Sequence, residues 1–369
     1  MKKSLIALAV IAASGAAFAQ SSVTMYGLID ANVLSTRSEG TIAFDAAGVP
    51  VVGKTTQSGV NLGNGKNGGI NSSRFGLKGA EDLGGGLKAI FTLESGFDPS
   101  TGANTTAGSV FGRQTYVGFS GGFGEVRLGK TWTPFDDVQG NGAAAFNANA
   151  FAPANDVWAS NSYQANPANA IYYMTPNMGG FTAAALYSFG ENKTATVSAG
   201  HVASMNAMYA GGPVMVALSY QVEKAAGANE SAKFLQLNAS YDLGMVKLLG
   251  AAGSVKNGGA SLLYSGSTNP AIMNLANAYP VDKTQEYQLG VEVPLSSAFV
   301  ISGGVSFSKD KIDGVEDIKR KGFGLAASYA LSKRTTLYAG FQMAKQNEIE
   351  DFIPAEKRRT AGLGIRHTF

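Results

Sequence analysis

Few segments of this chain have spacing that suggests chemistry. Gly124-Glu125-Val126-Arg127-Leu128-Gly129-Lys130-Thr131 matches the G-x-x-x-x-G-K-[ST] string, in which loop amides cradle phosphates while Lys and Thr reach the terminal phosphate and magnesium. That chemistry needs a strand before the string and a helix after it. Here Glu125 to Leu128 themselves alternate polar and apolar, and Thr131-Trp132-Thr133-Pro134 is a poor start for a long helix. Gly63-Asn64-Gly65-Lys66-Asn67-Gly68 fits a dinucleotide string but sits in a Gly- and Asn-rich stretch with no strand-helix-strand unit around it. Two histidines, His201 and His367, and no cysteine exclude a metal cluster built on His and Cys. A Ser-His-acid hydrolase using His201 is conceivable, because such triads are defined by geometry, but a histidine on a strand wall is the plainer reading. Trp132 and Trp158 share one long connector and read as packing residues. No catalytic residue, cofactor or metal ion is therefore expected.

The N-terminus reads Met1-Lys2-Lys3, an apolar run from Leu5 to Ala13, then Ala17-Phe18-Ala19 before Gln20. This is the pattern of a secretory signal, with cleavage between Ala19 and Gln20 and a mature domain spanning 20–369. The apolar run is too short for the roughly 20 residues of a spanning helix. A net charge of +3 without a clustered basic excess argues against nucleic acid as a partner. Stability in an oxidising compartment must come without disulfides. Hydrophobic residues make up 45% of the chain and glycine is abundant at 48 residues, so apolar content is spread thinly and points to strands.

Alternation at period 2 recurs along the chain. Val23, Met25, Ile29, Ala31 and Val33 share one face, and Thr24, Tyr26, Asp30 and Asn32 share the other. The same contrast holds for Leu87–Phe97, Lys233–Tyr241, Tyr287–Val293, Phe299–Phe307, Phe323–Leu331 and Leu337–Met343. Seven tight connectors of turn composition alternate with eight long polar ones, near 34–71, 98–110, 131–169, 190–200, 222–232, 254–284, 308–320 and 344–359. Fifteen connectors join sixteen strands, with short turns on one side and long loops on the other. The all-β architecture implied is a 16-stranded antiparallel transmembrane β-barrel with short periplasmic turns and long extracellular loops. A soluble sandwich would also alternate, but its second face would not be as charged as that formed by Arg74, Lys78, Lys88, Glu94, Glu125 and Arg127.

Five segments stand out: Val23-Thr24-Met25-Tyr26-Gly27-Leu28-Ile29-Asp30, Ser73-Arg74-Phe75-Gly76-Leu77-Lys78-Gly79, Gly112-Arg113-Gln114-Thr115-Tyr116-Val117-Gly118-Phe119, the Thr175–Phe181 turn and the terminal Gly364-Ile365-Arg366-His367-Thr368-Phe369. In these segments the chain resembles the trimeric general porins of Gram-negative bacteria, of the β-proteobacterial type. The resemblance implies a homotrimer in the outer membrane and a third loop, roughly Thr131 to Asn169, folded into the pore. It also implies that wall arginines, by motif position Arg74 and Arg113, face the loop acids Asp136, Asp137 and Asp156. Arg127, Lys78 and Lys88 join them as polar-face wall charges. Strict alternation would put Arg113 on the lipid side, so a β-bulge or a position above the hydrocarbon is required. The family often carries an arginine where this chain has Asn166. Phe369 would be the C-terminal assembly signal. The implied partners are outer-membrane lipid and lipopolysaccharide, the outer-membrane assembly machinery and small hydrophilic solutes. The implied function is passive diffusion through a water-filled channel with a weak anion preference. A substrate-selective outer-membrane channel is the alternative; an adhesin or a barrel enzyme is the more distant one.

Overall fold

The computed structural model describes residues 22–44, 50–64, 69–258, 281–312, 316–347 and 355–369. Ala19, Gln20 and the rest of the expected signal segment lie outside the described residues. So do residues 65–68 and parts of the connectors 254–284, 308–320 and 344–359.

The strands run in chain order as β1 (Ser22–Phe44), β2 (Pro50–Asn64), β3 (Arg74–Gly84), β4 (Leu87–Gly96), β5 (Gln114–Gly121) and β6 (Gly124–Lys130). After the third loop come β7 (Ala170–Met174), β8 (Phe181–Phe189), β9 (His201–Gly211), β10 (Val214–Lys224), β11 (Ala232–Asp242) and β12 (Lys247–Lys256). The last five are β13 (Lys283–Pro294), β14 (Phe299–Lys311), β15 (Ile318–Ala330), β16 (Thr335–Gln346) and β17 (Glu356–Thr368). Every pairing is antiparallel, and β1 meets β17 from Leu28 opposite Thr368 to Glu39 opposite Lys357, which closes the wall. Closure is what lipid demands, because an open edge would leave amides unpaired in hydrocarbon.

β2 and β3 lie along the same side of β1, β2 against Ala31–Phe44 and β3 against Ser22–Leu28. They form one wall position interrupted by the segment between them. Seventeen strands therefore make sixteen wall positions (17 − 1). The interrupting segment turns inward: the Ile70 and Asn71 amides donate to Asp30 Oδ2 at 3.1 and 2.9 Å.

The faces sort as a barrel in lipid requires. Along β1, Met25 and Val33 are exposed outward while Asp30 and Asn32 are buried inside, at 0% and 2%. Along β11, Leu235, Leu237 and Tyr241 face out and Gln236 and Asn238 face in. Aromatic side chains collect on the outer face towards the strand ends, among them Tyr187, Phe189, Phe307 and Tyr329. This is the pattern of interfacial girdles.

All seven tight turns occur where the composition indicated. In the first, Gly84, Gly85 and Gly86 take φ of +86°, +62° and +82°, a backbone that disfavours any side chain. The connector expected at 34–71 differs. β1 continues to Phe44 and β2 starts at Pro50, so most of this stretch is a hairpin prolonging the wall. A strand above the bilayer has water on both faces, and the apolar/polar contrast that marks a strand disappears there.

Candidate functional site

The third loop, residues 131–169, starts with Thr133 capping the short helix α1 (Pro134–Gln139), its Oγ1 accepting from the Asp136 amide at 3.2 Å. Pro134 fits the first turn, where no intrahelical donor is needed. From there the loop crosses the lumen along the inner wall. The Phe135 amide donates to Ser204 Oγ at 3.1 Å, and Asn206 Nδ2 donates to Pro134 O at 2.7 Å, both on β9. Gln236 on β11 and Gln288 on β13 donate to the carbonyls of Gln139 and Gly142, and the Ala145 amide donates to Ser302 Oγ on β14. The inward polar residues of the far wall thus satisfy loop carbonyls and amides that would otherwise be buried unpaired.

Glycines let the loop lie flat on this wall. A Cβ on Gly324 would stand 2.1 Å from the Phe151 carbonyl, and one on Gly322 2.1 Å from that of Pro153. Phe151 itself lies over Gly340 and packs edge-on against Tyr338, ring centroids 6.2 Å apart. Further along, Arg320 on β15 and Asp310 on β14 form an ion pair with both side chains at 0% exposure. Arg320 Nη2 reaches both Asp310 oxygens at 2.7 Å, and its Nε donates to the Val157 carbonyl at 2.9 Å. Ser308 Oγ donates to the same carbonyl at 2.8 Å, and the Ser160 amide donates to Glu286 Oε1 at 3.0 Å. Trp158 is buried in the apolar cluster of Ala154, Val157 and Ala344, packing the loop against the wall.

The loop's contacts run along the wall from β9 to β16 and reach Leu34 on β1 and Arg358 on β17, and the other inward charges gather on the side of the barrel formed by β1, β3–β6 and β17. There Arg113 Nε donates to Glu94 Oε1 at 2.7 Å, Arg74 Nε stands 3.8 Å from Glu94 Oε2, and the Tyr26 hydroxyl donates to Glu94 Oε2 at 2.9 Å. Arg113 immediately precedes β5 and lies within no strand. Alternation does not bind it, and its side chain turns inward over the Trp132 ring, 4.8 Å from the centroid. No bulge is needed to bring it inward, since β5 pairs with β4 without a register shift. Arg366, inward on β17, donates to Asn71 Oδ1 at 2.8 Å and interacts electrostatically with Arg74.

Arg127 lies between the rings of Tyr116 and Tyr172, 5.0 and 4.5 Å from their centroids, with its Nε 2.5 Å from Glu125 Oε1. The Tyr172 hydroxyl donates to Asp137 Oδ2 at 2.8 Å, and the Tyr163 hydroxyl to Asp136 Oδ1 at 2.5 Å. Burial pushes the Asp136 carboxyl up to about 6. The Tyr163 hydrogen bond opposes the shift, the Asp137 charge adds to it, and Arg113 opposes it.

The expected site residues therefore divide. Arg74, Arg113, Arg127, Asp136 and Asp137 come together where α1 faces the wall. Lys78, over the Tyr26 ring at 5.2 Å, sits below them. Lys88 stands opposite Asp82 beside the first tight turn, six residues down β4 from Glu94, or about 20 Å along the strand. Asp156 lies elsewhere on the loop and pairs with Arg358 at 3.1 Å. Sequence reading left Glu94, Tyr26, Arg320, Arg358 and Arg366 out of the site. Glu94 and Arg366 carry a signal, since both are polar-face charges. Asn166, where the family often has arginine, donates to the Arg113 carbonyl at 2.8 Å, and Lys130 Nζ donates to the Asn166 carbonyl at 2.5 Å. The phosphate-loop string is strand β6, and only the six-residue α1 follows it. His201 stacks on Tyr187.

A family model described as Gram-negative porin matches residues 5–348. The outer membrane porin protein 32 of Delftia acidovorans is 34% identical over 392 residues, covering all of both chains. An outer membrane porin protein of Bordetella pertussis is 31% identical over 406 residues, again covering both chains in full. The solved structure of an anion-selective porin from Comamonas acidovorans superposes with a TM-score of 0.70 at 27% identity, over 95% of this chain and all of that one. A closed sixteen-position barrel with its third loop folded across the lumen, matched from end to end by such relatives, belongs to the Gram-negative porin family and is an outer-membrane porin.

Proposed function

We propose that this porin admits small hydrophilic solutes and ions by passive diffusion with a preference for anions, and that it works as a homotrimer. The observation carrying the anion reading is that Arg74 and Arg113 share one carboxylate, Glu94, so the cluster keeps a positive charge. Arg366 adjoins it and bonds neutral partners, Asn71 and Thr336. An entering anion meets these cations on the wall while the loop offers Asp136 and Asp137 on the other side. Fixed charges facing each other across a narrow passage orient the solute and select its sign, and a ring richer in arginine favours anions. The anion selectivity of the Comamonas porin supports that sign.

Passage requires neither an energy source nor a chemical step. The resemblance to trimeric porins supports the homotrimer. We also propose that the mature chain begins at Gln20 and that Phe369 is read by the outer-membrane assembly machinery. Gly27 and Phe369 exchange backbone hydrogen bonds at 3.1 and 3.0 Å, so the last residue is tied to the first strand. Swelling of protein-loaded liposomes in sugars of increasing size tests the diffusion reading. Rates that fall steeply with sugar size support it; liposomes that do not swell refute it.

A further inference from the structure

The outer face carries a feature that the channel does not use. At the loop end of the barrel, Lys233 on β11 stands directly opposite Lys256 on β12, Lys256 opposite Lys283 on β13, and Lys283 opposite Lys311 on β14. Each neighbours a buried inward residue, Phe234, Val255, Thr284 or Asp310, so the lysines themselves project outward. Adjacent strands lie about 4.8 Å apart, so four ammonium groups are strung along roughly 15 Å of rim. Like charges directly opposite each other on a sheet destabilise it. Among the described residues none of the four forms a salt bridge, and the adjacent acid, Asp282, forms none with them. The tier continues on β14 and β15, where Lys309 stands opposite Lys319 and pairs with Asp317 at 2.6 Å.

Height on the wall indicates what such a row meets. Four residues below the Lys283–Lys311 pair, Tyr287 stands opposite Phe307, and both are exposed outward. Aromatic rings on the lipid face mark the membrane interface, so the lysines sit about 13 Å further along the strands, at headgroup height. At the opposite rim the exposed residues of the tight turns include the apolar Leu83, Phe123, Leu243, Leu295 and Leu331, and the charges among them are mixed in sign, with Lys333 and Arg334 in one turn and Asp82 and Asp242 in others. Two copies of the ladder would repel each other, which disfavours it as a contact between subunits.

We propose that this lysine ladder is a binding site for the phosphate groups of outer-leaflet lipid headgroups, two or more phosphates bridging neighbouring lysines. The phosphates supply the negative charge that the sheet lacks, and the acyl chains lie against the apolar band below. The inference rests on the outer-membrane placement of the barrel. Its failure is separable from failure of the channel reading, because the side chains lie outside the lumen.

The test uses full-length protein in detergent, observed by native mass spectrometry with bisphosphorylated lipid A, its fully dephosphorylated counterpart, or inorganic phosphate. Wild type retains the phosphorylated glycolipid at least about tenfold better than the dephosphorylated one, the loss of a few charge-assisted hydrogen bonds. The Lys233→Gln, Lys256→Gln, Lys283→Gln, Lys311→Gln variant loses that preference, the corresponding four-arginine variant keeps it, and Lys333→Gln with Arg334→Gln at the other rim leaves it unchanged. Single-channel conductance of the glutamine variant equals that of wild type, which also shows that the variant is folded. Equal retention of the two glycolipids by wild type, or undiminished preference in the glutamine variant, overturns the proposal. Inorganic phosphate that binds the ladder and strips the lipid at comparable concentration overturns the lipid as its ligand.

Discussion

Replacing Arg320 with Met tests whether the third loop is held by the far wall. In the folded protein the guanidinium is fully buried, bonds both oxygens of Asp310 and donates to the Val157 carbonyl of the loop. Methionine fills most of the volume but leaves Asp310 as a buried carboxylate whose remaining donor is the Thr284 hydroxyl, at 2.9 Å. Removing one partner of a buried ion pair costs about 3–5 kcal/mol, whereas replacing both with apolar groups of similar size is often close to neutral. Urea titration of the vesicle-inserted protein should therefore show a loss of this order for Arg320→Met, and most of it restored in Arg320→Met with Asp310→Leu. In planar bilayers both variants should give noisier open currents, because each lacks the Arg320 donor and leaves Ser308 alone on the Val157 carbonyl. The barrel wall stays closed in both, since its ladder does not pass through these side chains. An Arg320→Met protein within about 1 kcal/mol of wild type, the range of a solvated surface pair, and with equally quiet currents, would refute the reasoning.

Four further outcomes follow from the same geometry. Asp136, whose carboxyl is held up to about 6, gains its proton as pH falls through that value, so anion preference should rise between pH 7.5 and pH 5; the Asp136→Asn channel should lack this step. Because the raised value means that folding favours the protonated form, the packing of α1 is strongest below the ordinary carboxylate range near pH 4. It weakens as pH climbs from there through about 6, which urea midpoints at the two pH values would register. Gly340→Val drives a branched side chain into the Phe151 ring, which already fills the space that a Cβ on Gly340 would need, and should raise both single-channel conductance and current noise by lifting the loop. Deleting Phe369 removes the two backbone bonds to Gly27 and should lower the yield of heat-resistant oligomer in outer membranes, read on unheated gels.

Sequence and structure agree best where one face of a strand meets lipid and the other meets water. β1 and β11 show this: hydrocarbon on one side and a wet lumen on the other force opposite chemistry on adjacent residues, and period 2 becomes visible. Above the bilayer the contrast vanishes, so the hairpin joining β1 and β2 reads as a polar connector although its backbone is a ladder. Alternation also reports side and not height. Arg74 and Lys88 both face inward, yet Lys88 lies beside a tight turn, because depth is set by where each strand enters and leaves the membrane. Arg113 escapes the rule by standing one residue outside its strand. The loop anchor was illegible for a different reason. Arg320 meets the Val157 carbonyl across 163 positions of sequence, and nothing local to either residue indicates the other.

Whether the arginine cluster makes this barrel an anion-preferring channel is read from single-channel currents of the purified wild-type protein across a planar bilayer under a tenfold salt gradient. Stepwise ohmic openings in groups of three are expected, with a reversal potential of the sign that marks anions as the more permeant ions, moving towards zero when Arg74 and Arg113 are both changed to Gln. Openings that favour cations, or that keep their reversal potential in the double variant, would contradict the assignment of the arginine cluster; a protein that inserts and conducts nothing would contradict the channel itself.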